Sequence, residues 1–229
     1  MSIFLSFVFI FFIGSMLGWI IELFYKRIVL GKWVNSGFLI GPYLPIYGFG
    51  LCIITWLHIT LSNYNLNVIL NAILIAIVLT VLEYISGLIF IKYGKIKLWD
   101  YSDEWLNYQG IICPLYSLFW AACAIFYNYF LADHIINALI WFSENLSFSF
   151  ILGIFIGTLI IDFISSAKVF TKIRRFAKEN KIEVIYEEFK THIQDLQKQA
   201  REKYSFLFSF KQSKPLKEYL NDYKENKRK

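Results

Sequence analysis

Leu66-Asn-Val-Ile-Leu-Asn-Ala-Ile-Leu-Ile-Ala-Ile-Val-Leu-Thr-Val-Leu-Glu-Tyr-Ile-Ser-Gly-Leu-Ile-Phe-Ile91 carries one charged side chain, Glu83. About 20 such residues, rising 1.5 Å each as a helix, cross a ~30 Å hydrocarbon core. The stretch therefore reads as a transmembrane helix. Working outward, four further runs have that length and character: 3–24, 38–61, 111–131 and 148–167. The whole composition agrees, with 57% hydrophobic residues, 17% charged residues and a mean hydropathy of +0.51. A soluble domain carries about 25% charge. These numbers exclude a soluble enzyme, a disulfide-knotted secreted domain and a disordered tail protein. The expected fold is all-α: a polytopic membrane protein of five transmembrane helices with a cytoplasmic amphipathic C-terminal helix.

Charge placement orients the spans. From Lys168 onward there are 17 Lys/Arg against 9 Asp/Glu, and the first 167 residues hold 6 and 8. Those six bases form two clusters, Lys26, Arg27, Lys32 and Lys92, Lys95, Lys97. Positive residues are retained on the cytoplasmic side. Five spans with the N-terminus outside and the C-terminus inside put every Lys and Arg on one face, because segments 62–65 and 132–147 have none. The net charge of +6 thus reports topology and not nucleic-acid binding. The uncharged N-terminus reads as a first span and not a signal peptide. Segment 133–145 has an apolar stripe (Ile135, Ile136, Leu139, Ile140, Phe142) and reads as interfacial, with a short sixth span as the alternative. The chain divides into a membrane domain, 1–168, and a basic tail, 169–229.

Three acids lie within the spans: Glu22, Glu83 and Asp162. The spacing places them roughly 3, 13 and 8 Å below the inner boundary. A carboxylate in hydrocarbon costs at least ~2.5 kcal/mol, so each should face protein or water. They read either as one shared site or as separate hydrogen-bonding struts between helices. Small residues accompany each: Gly14 and Gly18 before Glu22, Ala76, Thr80 and Gly87 around Glu83, and Gly153 and Gly157 before Asp162. Small residues let helices approach closely in lipid, so every acid is expected to border a packed interface. With no buried base expected nearby, the cluster suits a cationic or hydroxyl-bearing ligand, or protons.

Two further segments add candidates. Gly37-Phe-Leu-Ile-Gly-Pro-Tyr-Leu-Pro-Ile-Tyr-Gly-Phe-Gly50 cannot form one regular helix, because Pro42 and Pro45 lack donors and clash with the preceding turn. Irregular backbone at membrane depth must line protein or a wet cavity. Tyr43 and Tyr47 are expected to point inward from it. Leu98-Trp-Asp-Tyr-Ser-Asp-Glu-Trp105 is an acidic, aromatic cytoplasmic loop that would set Asp100 and Tyr101 at the mouth of the cavity. Its Trp and Tyr also suit an interfacial belt. In the tail, Ile185, Phe189, Ile193 and Leu196 repeat at helical spacing. That stripe fits a helix on the anionic inner leaflet, a docking helix for a cytosolic partner, or a homo-oligomer seam. Beyond Pro215 the chain is polar, ends in Lys-Arg-Lys and is expected to fray.

The segments Leu17-Gly-Trp-Ile-Ile-Glu22, Gly37 to Gly50 as quoted, Glu83-Tyr-Ile-Ser-Gly87 and Trp99-Asp-Tyr-Ser102 resemble the CmpB-type family of bacterial membrane proteins. That family is labelled as ABC-transporter permeases, and the similarity runs over about 14–120. The resemblance implies a transport subunit in the bacterial plasma membrane. The chain itself has no P-loop, so ATP-driven transport would need a separate ATPase subunit. No metal motif, cofactor motif or catalytic triad is present, and Cys52, Cys113 and Cys123 form no CxxC pair. The expected function is a permease-like, non-enzymatic subunit with a cytoplasm-facing acidic and aromatic cavity. The alternative is a non-transporting membrane scaffold or regulatory protein whose buried acids are structural.

Overall fold

Proline sets where two of the helices begin. The computed structural model describes residues 3–64, 67–180, 182–199 and 215–226. In it Leu44 and Cys113 are extended, and Pro45 and Pro114 take the first helical positions, where a missing N–H costs nothing. Asn67 caps α3 by accepting from Ile69 N, and Lys95 ends it in the left-handed conformation. The elements are α1 (Ile3–Leu30), α2 (Pro45–Leu61), α3 (Val68–Gly94), β1 (Ile96–Lys97), α4 (Pro114–Phe126), α5 (Ala132–Glu144), α6 (Ser149–Asn180), β2 (Val184–Ile185), α7 (Tyr186–Gln199) and α8 (Leu216–Asn226). Short 3-10 turns follow α2 and precede α6, and a π-helical turn, Tyr127–Leu131, joins α4 to α5.

The fold is all-α in its architecture, and among the described residues four helical stretches are long and apolar enough to cross a membrane: Ile3–Leu30, Val68–Gly94, Pro114–Glu144 and Leu146–Asn180. The run expected at 38–61 is not one helix. Residues 37–44 are non-helical, as the prolines require, and α2 itself has 17 residues. At 1.5 Å per residue that is about 26 Å, slightly short of a ~30 Å core.

Helix α1 packs tightly on α2 because glycine faces glycine. A Cβ on Gly14 would lie 2.8 Å from Leu51 Cβ, and one on Gly18 would overlap the Cβ of Tyr47. The small-residue reading of α1 holds. It does not hold for α6, where a Cβ on Gly153 or Gly157 would meet nothing within 4 Å. Five residues separate Gly157 from Asp162, about 140° round a helix, so the glycines face outward while the acid faces in. The core of the bundle comprises Ile10, Ile54, Ala72, Ile75, Leu79, Ala124, Tyr127, Ala132 and Ile135. Helix α5 contributes Ile135 there and seats Phe142 against Val8 and Leu152.

α6 continues to Asn180 with no break. The tail departs from expectation in two ways. The apolar stripe of α7 is covered by the chain itself: Phe189 and Ile193 pack with Ile96, Ile173, Phe176, Val184, Tyr219, Leu220 and Tyr223. Leu196 has its side chain outside the described residues. The end past Pro215 is not frayed, because α8 buries Tyr219, Leu220 and Tyr223 on α7; the final Lys-Arg-Lys lies outside the described residues. A short parallel pair, Ile96 beside Val184 and Lys97 beside Ile185, ties this C-terminal module to the end of α3.

Candidate functional site

Glu83 sits on α3 with only 4% of its surface exposed. Its Oε2 accepts from Trp120 Nε1 at 2.9 Å, and its Oε1 accepts from the Tyr101 hydroxyl at 3.0 Å. The Tyr101 ring stacks on Tyr116 at 4.2 Å, and the Tyr116 hydroxyl lies 3.1 Å from that of Tyr25. On its other side Trp120 meets the Tyr47 ring at 5.8 Å, and the Tyr47 hydroxyl donates to Glu22 Oε2 at 3.0 Å. Glu22 and Glu83 are therefore two ends of one polar, aromatic cluster. Four helices and the loop before α4 build it, and Gly18 makes room for Tyr47 within it.

The cluster reaches the C-terminal module. Lys26 lies 3.8 Å from Glu22 Oε1 and 2.7 Å from Glu187 Oε1 on α7. This corrects the expectation of acids without a base, since a lysine one turn along α1 folds back on Glu22. Burial, followed by the charge of Glu83, raises the Tyr101 hydroxyl well above the ordinary tyrosine range, so it stays a donor. In the loop before α4, Lys97 donates to Asp100 at 3.2 Å, and Ser102 N donates to the same carboxylate at 3.1 Å. Burial raises the Asp100 carboxyl, but the hydrogen bonds from Ser102 and Lys97 outweigh it and leave the group below its usual range. Asp100 is thus an ionised strut of its loop.

Asp162 has different partners. Its carboxylate accepts from Ile40 N at 3.1 Å, from Gly41 N at 2.7 Å and from Ser166 Oγ at 2.9 Å. Glu22 and Glu83 share neighbours; Asp162 instead clamps the irregular segment 37–44. Tyr43, buried beside it, packs its ring on Phe155 at 5.8 Å. Tyr43 and Asp162 both line a cavity between α1, this segment and α6, away from Glu22 and Glu83.

The same segment is gripped from below by residues that sequence reading missed. Lys190 of α7 is buried and donates to Asn35 O at 3.0 Å and Gly37 O at 2.7 Å. The Tyr186 hydroxyl donates to Phe38 O at 3.3 Å, and Asn35 Nδ2 donates to Ile40 O at 2.6 Å. Gly37 turns there with φ +82, a conformation that other residues rarely adopt. The signal for Lys190 was in the sequence: it follows Phe189 directly and lies one turn from Tyr186, on a face that is otherwise apolar. Burial lowers its ammonium to about 8, with Glu187 and Asp162 opposing. From the ordinary 10.5, the unfolded chain binds more protons than the folded one between about 8 and 10.5. The contribution of Lys190 to stability accordingly rises with pH across that window. Expected outcome: the stability of the C-terminal module in the wild type, measured relative to Lys190→Met, is flat below about pH 8, rises between about 8 and 10.5, and is flat again above. A difference curve flat from pH 7 to 11 would refute the assignment.

No curated protein and no solved structure matches this chain. The four motifs that form the cluster and the clamp lie inside one family match. The chain belongs to the family described as "Putative ABC-transporter type IV", whose model matches residues 9–167.

Proposed function

We propose that the protein is a permease-like, non-enzymatic membrane subunit that works with a separate ATP-binding subunit. In this reading α1, α2, α3, the α4–α5 run and α6 make five crossings, with the N-terminus outside and the C-terminus inside the bacterial plasma membrane. The non-helical segment 37–44 completes the crossing that α2 begins. One observation carries the transport reading: Glu22 and Glu83 lie at the two ends of one cluster of hydrogen bonds and ring contacts that runs from within the spans to Lys26 and Glu187. Intramembrane carboxylates of this kind mark ion or proton paths more often than idle packing. The cluster suits protons or a small hydroxyl-bearing or cationic ligand.

The scaffold reading has its own support, since Asp162 spends its oxygens on Ile40, Gly41 and Ser166. Co-purification from the native membrane separates the two. A stoichiometric ATP-binding subunit is the expected result, and recovery of the chain only with itself would favour the scaffold. Topology is tested in the same cells: Lys95→Cys should react with impermeant reagents only from inside, and Ser147→Cys only from outside. The reverse pattern would sink the orientation.

A further inference from the structure

Leu106 is a leucine at a backbone position that suits glycine or asparagine. Its φ is +51 and its side chain is 65% exposed, next to Trp105 at 77%. A β-carbon disfavours that conformation, and the leucine recovers little packing from the described residues in return. The rest of the loop before α4 is closed on itself. Tyr101 N donates to Gly110 O at 2.9 Å, Tyr108 N to Ile112 O at 2.8 Å and Trp99 Nε1 to Ile111 O at 2.9 Å. Asn107 Nδ2 donates to Ser102 O at 3.0 Å and Glu104 O at 2.9 Å, while its Oδ1 accepts from Gly110 N at 3.1 Å. A loop in water can leave its backbone to the solvent, whereas one at membrane depth must satisfy it internally.

The loop also turns back along α3 instead of leading away from its end. Tyr101 reaches Glu83, the Tyr108 ring meets that of Tyr84 at 5.7 Å, and a Cβ on Gly87 would overlap Ile111. α3 has 27 residues, about 40 Å, so at most about 10 Å of it projects from a ~30 Å core. Gly87 and Glu83 stand seven and eleven residues before Gly94, about 10 and 16 Å back along the axis. Even with the whole projection on that end, Ile111 packs at the edge of the hydrocarbon and Tyr101 about 6 Å inside it. The tip is bracketed by these anchors, and Ile85 and Ile89 of α3 are exposed at the same level. We propose that residues 98–112 are a re-entrant loop whose tip, Trp105 and Leu106, is seated in the headgroup layer of the leaflet on the Lys92 side. Lipid is the occupant because the anchors hold the tip at membrane level. An indole suits that layer, and Asp103 and Glu104 beside it keep the tip out of the hydrocarbon proper. The seat requires α3 to cross the membrane and does not rest on the transport reading.

The test uses the full chain in phosphatidylcholine vesicles, with Cys52, Cys113 and Cys123 replaced by Ala. An NBD fluorophore is attached through Trp105→Cys or Leu106→Cys, one at a time so that the other residue stays. Two references frame the result: Ile77→Cys on the exposed face of mid-α3, and Lys178→Cys on the exposed end of α6. Quenchers are a phosphatidylcholine with a nitroxide high on its acyl chain, one with the nitroxide near the chain end, and aqueous iodide. Labels at 105 and 106 should lose most emission to the shallow nitroxide, less to the deep one and little to iodide. The Ile77 label should answer chiefly to the deep nitroxide and the Lys178 label to iodide. Quenching at 105 and 106 by iodide alone would overturn the proposal, since the tip would then stand in water. Protection from all three quenchers would overturn it as well, by showing that protein covers the tip. In both cases a normal Ile77 response leaves the crossing by α3 intact, whereas an Ile77 label quenched only by iodide would remove that crossing and the re-entrant loop with it.

Discussion

Gly18→Leu should separate α1 from α2 and cost about 3 kcal/mol of stability, the upper end of ordinary overpacking. The cause is local and geometric. Even the first carbon of a new side chain would overlap the Cβ of Tyr47, an atom fixed to the α2 backbone that no rotamer can move aside. Tyr47 must shift, and its hydroxyl then leaves Glu22. Thermal unfolding in detergent should fall steeply, whereas Gly157→Leu on open α6 should be nearly silent. Equal effects at the two positions would show that α1 and α2 do not meet as described. The comparison is sharp because both glycines sit in the same kind of GxxxG spacing.

Glu83→Leu should cost about 3 kcal/mol, because Trp120 Nε1 and the Tyr101 hydroxyl would each be left buried without their acceptor. Glu83→Gln should behave differently. Its amide oxygen can accept from Trp120 while its NH₂ donates to the Tyr101 oxygen, which serves as either donor or acceptor. Folding and insertion are then preserved and only the titratable charge is lost. If the cluster carries protons or ligand, Glu83→Gln abolishes that coupling in a correctly folded protein. If the cluster is packing, the variant is functionally silent, since interhelical hydrogen bonds in membranes average ~0.6 kcal/mol. A Glu83→Leu protein as stable as wild type would contradict the hydrogen bonds themselves.

Much of this architecture was legible residue by residue. Hydropathy located the spans because a helix must satisfy its own backbone in lipid, and length alone then limits what can cross. Pro42 and Pro45 announced the break at 37–44 because a missing donor and a ring clash act within one turn. The closeness of Gly18 to its neighbour helix followed from small residues at helical period, and the inward aim of Tyr47 from the rule that irregular backbone in the membrane faces protein or water. The union of Glu22 with Glu83 was half legible: both acids were evident, but Trp120, which lies between Tyr47 and Glu83, was not. An indole on an apolar helix gives no sign of which carboxylate it will reach.

The tail was misread for a related reason. An amphipathic stripe states that a face needs cover without saying what supplies it, so Phe189 and Ile193 were equally compatible with lipid, a partner or the chain itself. α8 resolved that by presenting Tyr219, Leu220 and Tyr223, three apolar rungs too sparse to stand out in a polar end. What the sequence by itself determined, then, was each property carried by neighbours along the chain: span length, backbone breaks, charge placement and the existence of buried acids. Tertiary structure alone decided which groups meet. Lys190 and Asp162 hold segment 37–44 from positions more than 120 residues away, and no local pattern encodes such a meeting. Its partners are backbone N–H and C=O groups, which every residue carries alike.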